Sequence, residues 1–369
     1  MTALRLLLAT DAVGGVWVYS LELARALKPL GVDAIIAVLG PSPTEAQRYE
    51  AAGLKLIDTG LPLEWLETSP VELRRAGETL AAIADCEGAD LFQTSSAALL
   101  ADAEFGQPCI AVQHSCLATW WVAVKGAPLP DDFRWRCELV ECGLNRASVV
   151  VAPSIAFAAE TARAYDLGSP VLSVHNGRRT ALFPDLPQGE FAFTAGRFWD
   201  EGKNAATLDR AAARMDVPFQ AAGPMEGPNG ASIELPHLQL LGTLGAARMS
   251  GLFAARPVFA SAALYEPFGL TALEAAQAGC ALVLSDIATH REMWDGAAIF
   301  VSPRDDGGFA SAIRDLIEDR DEREQLGQLA RARAQHYSPE RMARGMADIY
   351  RRVTEDRAAE QVITLAGAA

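Results

Sequence analysis

The chain has 369 residues, of which 50% are hydrophobic, 7% aromatic and 21% charged. At ~150 residues per domain that is apolar mass for two cores, and it excludes a disordered, collagen-like or coiled-coil chain. Lys plus Arg total 32 against 47 Asp plus Glu, a formal charge of −15, which excludes non-specific nucleic-acid binding, since that needs cations to neutralise phosphates.

Read in chain order, short apolar runs alternate with helical patterns, the signature of parallel sheets wrapped by helices. Leu4–Thr10 opens the series; its apolar stretch is too short and too soon followed by Asp11 for a signal-peptide core. Further strands are expected at Val32–Leu39, Leu91–Thr94, Cys109–Gln113, Ser148–Ala152 and Val171–His175, with helices at Tyr19–Leu30, Val71–Cys86, Asp132–Ala147 and Ile155–Tyr165. Val149, Val150 and Val151 run without alternation, as in a strand buried on both faces. Asn176–Gly189, rich in Pro, Gly and Arg, reads as a linker.

A second series follows. Its strands are expected at Phe191–Ala195, Phe219–Ala222, Leu238–Leu241, Val258–Ala260, Ala281–Leu284 and Ala298–Val301. Its helices are expected at Ala205–Met215, Leu270–Ala278, Phe309–Asp319, Arg323–His336 and from Pro339 onward. The architecture is therefore α/β, two facing Rossmann-like, doubly wound domains over 1–178 and 190–338. A final helix over 339–358 carries Met342, Met346, Ile349, Tyr350 and Val353, too apolar a stripe to stand free in water.

Chemistry concentrates at the ends of strands. Tyr265-Glu266-Pro267-Phe268-Gly269-Leu270-Thr271-Ala272-Leu273-Glu274 follows a strand and opens a helix. Helix starts bind phosphate through backbone N–H groups that have no intrahelical acceptor and through the positive end of the dipole. Glu266 and Glu274 can accept hydrogen bonds from ligand hydroxyls; the alternative is a pair of surface charges. Arg197 and Lys203, after the first strand of the second series, supply two cations, one able to fork onto phosphate oxygens. Gly14 and Gly15 form a glycine turn after the first strand, without the full G-x-G-x-x-G spacing and with no acidic residue at the end of the next strand. That disfavours a dinucleotide dehydrogenase. It leaves close approach to a charged group, or a plain tight turn.

His114 follows the strand at Cys109, at the same carboxyl edge, and is either structural or part of the site. Trp120 and Trp121 read as a loop pair that either stacks on a sugar or acceptor or packs in the core. Histidines and cysteines show no metal-ligand spacing, and neither a nucleophile elbow nor a Walker-type lysine loop is present. Six sparse cysteines without a C-x-x-C pair read as reduced thiols in a cytoplasmic protein. Around 64–80, Trp65, Leu66, Arg74 and Arg75 alternate with Glu64, Glu67, Glu72 and Glu78, a solvated amphipathic face more than a membrane anchor. Lys125, Arg134 and Arg136, around Trp135, form the best local basic cluster; they either meet a phosphate-bearing acceptor or pair with Asp131 and Asp132.

These motifs together resemble the retaining glycosyltransferases of GT-B fold, family 4, over nearly the whole chain. The E-x(7)-E motif of Glu266 and Glu274 is the most specific part. Arg197 and Lys203, Gly14-Gly15, Asn176-Gly177, Gly223-Pro224, Glu292 and Tyr337-Ser338-Pro339-Glu340-Arg341 support it. Lys203 stands six residues after Arg197 where five is commonest. Ala260-Ser261 replaces a frequent Pro-Ser, and Ile287-Ala288-Thr289-His290 replaces a glycine-rich turn before Glu292.

The resemblance implies transfer of a sugar from a UDP- or GDP-sugar donor to a glycan, lipid-linked or small-molecule acceptor, with retained configuration, as in polysaccharide biosynthesis. It implies no cofactor and no metal; no transmembrane segment is expected from the apolar runs, and peripheral membrane contact stays open. The donor would lie between the domains. Glu274 would bind the ribose and Glu266 the sugar, while Arg197, Lys203 and the amides of Phe268, Gly269 and Leu270 would hold the diphosphate. Gly14 and Gly15 would approach phosphate or sugar, and His114 would lie on the reacting face. The alternatives are an epimerase or phosphorylase of the same fold, or a non-catalytic nucleotide-sugar-binding subunit. The first lacks an evident extra acid–base pair or a lysine for a cofactor aldehyde. The second is disfavoured by the presence of Glu266, Arg197 and Lys203 together.

Overall fold

The computed structural model describes residues 3–66, 69–184 and 186–367. Glu67, on the expected solvated face, and Asp185, in the expected linker, lie outside the described residues. The described chain forms two compact units: unit 1 comprises residues within Met1–Thr119, Ala127–Gly177 and Pro339–Ala369, and unit 2 those within Trp120–Gly126 and Arg178–Ser338.

Through the first series run β1 (Leu4–Asp11), α1 (Gly15–Leu27), β2 (Val32–Leu39), α2 (Glu45–Glu50), β3 (Lys55–Asp58), α3 (Pro70–Cys86), β4 (Leu91–Thr94) and β5 (Cys109–Val112). There follow α4 (Leu117–Lys125), α5 (Asp131–Arg146), β6 (Val149–Ala152), α6 (Ile155–Ala164) and β7 (Val171–Ser173). The strands form one parallel sheet in the order β3-β2-β1-β4-β5-β6-β7. Alternation of side chains along each strand sorts the core. Leu7, Ala9, Phe92 and Ala111 face α3 and α5, while Leu6, Leu8, Ile110 and Val112 face α1 on the other side.

Through the second series run β8 (Ala192–Ala195), α7 (Ala205–Ala212), β9 (Phe219–Ala222), β10 (Gln239–Leu240), α8 (Ala246–Ala254), β11 (Val258–Ser261), α9 (Leu270–Ala278) and β12 (Leu282–Ser285). They continue with α10 (Ala288–Trp294), β13 (Ile299–Val301), α11 (Asp306–Glu318) and α12 (Arg320–Ala334). This sheet too is parallel, ordered β10-β9-β8-β11-β12-β13. Phe219, Val258 and Val283 pack on α7 and α11; Phe193, Phe259 and Leu282 pack on α9, α10 and α12. The last helix, α13 (Pro339–Gly367), buries Met342, Met346, Tyr350 and Val353 against Leu6, Leu8 and Tyr19 in unit 1. Both sheets reverse their winding, between β1 and β4 and between β8 and β11. Such switch points, at the carboxyl ends of the strands, are where doubly wound sheets take ligands.

Several boundaries differ from expectation for local reasons. The helix expected at Tyr19 begins at Gly15 and closes in a 3-10 turn over Lys28–Leu30, where Pro29 cannot extend it. α11 and α12 start earlier than expected because Asp305 and Asp319 cap them, accepting from the N–H groups of Gly308 and Glu322. α7 stops at Ala212, short of Met215. α13 runs on past 358 to Gly367, since good helix formers continue without a breaker. The expectation of Trp120 and Trp121 in a loop is wrong: both sit on α4. Its sequence, Leu-Ala-Thr-Trp-Trp-Val-Ala-Val-Lys, is apolar nearly all round and carries no 3.6-residue signal.

Among the described residues no helix is long and apolar enough to cross a membrane, and no group of three His, Cys, Asp or Glu side chains is placed to hold a metal ion.

Candidate functional site

In unit 2 the polar side chains gather past the carboxyl ends of β8, β11 and β12. Arg197 and Lys203 follow β8. Between them lies a 3-10 turn, Glu201–Lys203, capped by Asp200, whose Oδ1 accepts from the Gly202 N–H at 2.9 Å. Asp200 also pairs with Arg197 through Oδ2 at 3.4 Å. Asn204, in the left-handed region with φ 51°, then sends its side-chain amide to the carbonyls of Ala262 and Pro303 at 2.8 and 2.7 Å. This fixes the turn against the loop after β11. The backbone carbonyl of Gly202 accepts from Leu264 N–H at 2.9 Å, drawing the same two loops together.

The result is a close pair: Lys203 Nζ donates to Glu266 Oε2 at 2.6 Å, and both side chains are largely enclosed. Burial pushes the Glu266 carboxyl up, but the charge and hydrogen bond of Lys203, with His290 and Arg197, outweigh it and hold the group below the usual carboxylate range. A carboxylate so held remains a hydrogen-bond acceptor at neutral pH.

Gly269 caps α9 with φ 89°, a conformation that costs a glycine little and other L-residues much. The chain turns sharply there, so the first-turn N–H groups of α9 point off the sheet edge. The Phe268 side chain is core, meeting Tyr337 edge-on at 5.8 Å, so its backbone alone faces the edge. Glu274 lies one turn into α9 and takes a hydrogen bond from Arg178 Nε at 2.7 Å. Arg178 is itself held by its carbonyl accepting from Gln277 at 2.7 Å. Opposite Arg197, Gly223 is required by close packing: a Cβ there would sit 1.8 Å from the Gly196 carbonyl oxygen.

Trp120 belongs to this unit as well. Its indole N–H donates to Asp200 Oδ1 at 3.0 Å, and Lys125 Nζ lies 2.6 Å from Glu201. The far half of α4 thus grips the turn that carries Lys203. The Trp120 contact is not legible in the sequence, because partners eighty residues apart leave no local pattern. Lys125 also lies over both indoles, 5.8 and 6.0 Å from their centroids.

In unit 1, Gly14, at φ 73°, caps α1 and Gly15 begins it. His114 follows β5 and packs edge-on against Tyr19 of α1, centroids 4.3 Å apart. Tyr19 is held in turn by Gln93, which accepts from the Tyr350 hydroxyl of α13. The structure therefore brings His114 and the glycine-led helix together. Burial pushes the His114 pKa down to about 4, so the ring is neutral, and its enclosed Nε2 has no hydrogen-bond partner.

One expectation about unit 1 needs correction. Glu64 is not a solvated charge: burial pushes its carboxyl up, against the Ser96 hydroxyl that donates to it and the charge of Arg136. Of the two readings of the basic cluster, Arg134 follows the pairing one, with Asp131, while Arg136 donates to the Glu64 carbonyl at 2.8 Å.

Two parallel α/β units, each with polar groups collected at the carboxyl edge of its sheet, define a protein of GT-B fold. Two family models match the sequence, Glycosyltransferase Family 4 over residues 13–182 and Glycosyl transferases group 1 over residues 232–333. The chain belongs to the family 4 glycosyltransferases of GT-B fold. It is 30% identical over 184 residues to the phosphatidyl-myo-inositol mannosyltransferase of Mycolicibacterium smegmatis, a match covering 45% of this chain and 47% of that protein. A match of 71 residues to the glycogen synthase of Mycobacterium tuberculosis is 44% identical and covers 19% of this chain and 17% of that one. The chain thus spans about half or less of the length of these relatives. In fold it is similar to the sucrose-phosphate synthase of Thermosynechococcus elongatus, with TM-score 0.80, 20% identity and coverage of 96% of this chain and 100% of that one. It is also similar to Anabaena HepE in complex with UDP-glucose, with TM-score 0.71, 18% identity and coverage of 94% and 99%.

Proposed function

We propose that the protein is a retaining glycosyltransferase that moves a hexose from a UDP- or GDP-sugar to a glycan, lipid-linked or small-molecule acceptor without a divalent metal. The observation that carries this reading is the Lys203–Glu266 pair, with Arg197 beside it, at the start of α9 on the switch point of unit 2. Cleavage of the anomeric carbon–oxygen bond leaves a nucleoside diphosphate on which negative charge develops. Arg197, Lys203 and the amides of Phe268, Gly269 and Leu270 leading into α9 are cations and dipoles fixed in advance, the arrangement that stabilises such charge without reorganisation. They do here the work that a metal ion does elsewhere. Glu266 accepts from hydroxyls of the donor sugar and Glu274 from those of the ribose, displacing Arg178. In unit 1, Gly14 and Gly15 allow close backbone approach to phosphate or sugar, and His114, neutral, offers an acceptor on the reacting face.

The names of the relatives support a hexosyl donor: a mannosyltransferase in one case and a UDP-glucose complex in another. The experiment is incubation with a panel of UDP-, GDP- and ADP-sugars in EDTA. Nucleoside diphosphate release and the anomeric configuration of the sugar product are followed by NMR. Release from one donor class with retained configuration is expected. No turnover with any donor overturns the enzymatic reading, and inverted product overturns the retaining one.

A further inference from the structure

We propose that His290 is a further donor-recognition residue, whose Nε2 accepts a hydrogen bond from a hydroxyl of the sugar carried by the nucleotide. This rests on the donor reading above and extends it to a residue from the stretch that replaces a glycine-rich turn. His290 lies in the first turn of α10 and is 1% exposed. Its Nδ1 is 3.0 Å from the Ser285 carbonyl oxygen and 3.1 Å from Ser285 Oγ. A carbonyl only accepts, so Nδ1 carries the proton. Ser285 Oγ gives its own hydrogen to the Ala263 carbonyl at 2.6 Å, and it too is an acceptor toward the ring. The tautomer is thereby fixed.

Nε2 is then the bare nitrogen, and it is enclosed without a hydrogen-bond partner. Buried polar atoms are nearly always satisfied, so one that is not calls for an occupant. The occupant must be a donor. Glu266 cannot serve, because its carboxylate only accepts, and the Lys203 ammonium, which donates to Glu266 at 2.6 Å, makes no hydrogen bond to the ring. Both charges act on the His290 ring, which burial keeps neutral.

The setting points the same way. Ser285 ends β12, the neighbour of β11, and its hydroxyl ties α10's approach to Ala263 on the loop that carries Glu266. The site thus presents two acceptors of different kind, an anionic carboxylate and a neutral imidazole nitrogen, held by one hydrogen-bonded scaffold. Neighbouring hydroxyls of one hexose satisfy both. A ligand that ends at the diphosphate satisfies neither.

The test compares titration calorimetry of UDP, GDP, UDP-glucose and GDP-mannose with wild type, His290→Asn and His290→Gln. Asparagine retains an N–H for the Ser285 carbonyl but has no atom at the Nε2 position. Glutamine carries an acceptor near it. In His290→Asn the nucleoside diphosphate affinity is expected to stay within twofold, while that of the matching sugar nucleotide falls about tenfold. His290→Gln is expected to keep most of that sugar-dependent affinity. An unchanged gain from the sugar in His290→Asn overturns the inference, as does an equal loss for diphosphate and sugar nucleotide, which would mark a structural role. Wild type that binds none of the four ligands overturns the donor reading itself, and this role with it.

Discussion

Replacing Lys203 by alanine removes the cation proposed to face the departing diphosphate, which also holds Glu266 ionised. A unit charge about 4 Å from a phosphate oxygen, at an effective dielectric of ~20, contributes roughly 4 kcal/mol. At 1.36 kcal/mol per decade, that is on the order of a thousandfold in kcat/KM if the interaction is fully expressed in the transition state. A second effect follows at Glu266. In the wild type its pKa lies below the usual carboxylate value because Lys203 outweighs burial. Its contribution to stability is therefore present above that usual value and is lost as pH falls through the depressed one. Without Lys203 the burial effect dominates, the carboxyl takes up its proton at higher pH, and the acid limb of the activity profile moves upward. Initial rates from pH 5 to 9, with circular dichroism to confirm folding, measure both effects. A folded variant losing less than tenfold in kcat/KM, with its acid limb unmoved, would refute the reasoning.

Three further perturbations test the scaffold. Gly223→Ala drives a Cβ to within 1.8 Å of the Gly196 carbonyl oxygen; it is expected to cost roughly 3 kcal/mol. The melting temperature of unit 2 should fall by several degrees, and an unchanged melt would contradict the packing. Trp120→Phe removes the indole donor from Asp200, a bond to a charged group worth about 1.5–3 kcal/mol. Donor KM should rise several-fold with little change in secondary structure, and an unchanged KM would show that the turn carrying Lys203 does not depend on α4. Tyr350→Phe strips the donor from the buried Gln93 amide oxygen, at a cost of about 1–3 kcal/mol. Chemical denaturation should report that loss in unit 1, and wild-type stability would exclude the network as a tie between α13 and the sheet.

The features legible in the sequence are those with local signatures. Strand-turn-helix around Glu266 to Glu274 could be read because an apolar run, a glycine and a helical period follow one another directly. The bounds of α9 were read as they stand in the structure, Leu270–Ala278. Val149–Val151 announced a buried strand by lack of alternation alone. Short elements escaped: β3 is a four-residue edge strand with no side chain fully buried, and α10 has seven residues, too few for a period to emerge. α8 was also missed, with Gly251 interrupting its pattern.

What could not be read is pairing across the chain. Asp200 carries no local signal of its role, since only the turn sets it against Gly202, Arg197 and Trp120 at once. Arg178 on Glu274, and His290 beside the Lys203–Glu266 pair, join residues that only the topology of the sheet brings together. The charge of −15 likewise excluded a polyanion as partner but was blind to two cations concentrated at one strand edge.

The central claim is that this edge of unit 2 holds a diphosphate. It is tested most directly by titration calorimetry of UDP and GDP against UMP and GMP in EDTA, with wild type and with the Arg197→Ala, Lys203→Ala double variant. At least one diphosphate is expected to bind wild type ~10-fold or more tighter than its monophosphate, about 1.4 kcal/mol, and the double variant to erase this difference. Equal affinities for diphosphate and monophosphate in the wild type, or a difference that survives in the double variant, would contradict it.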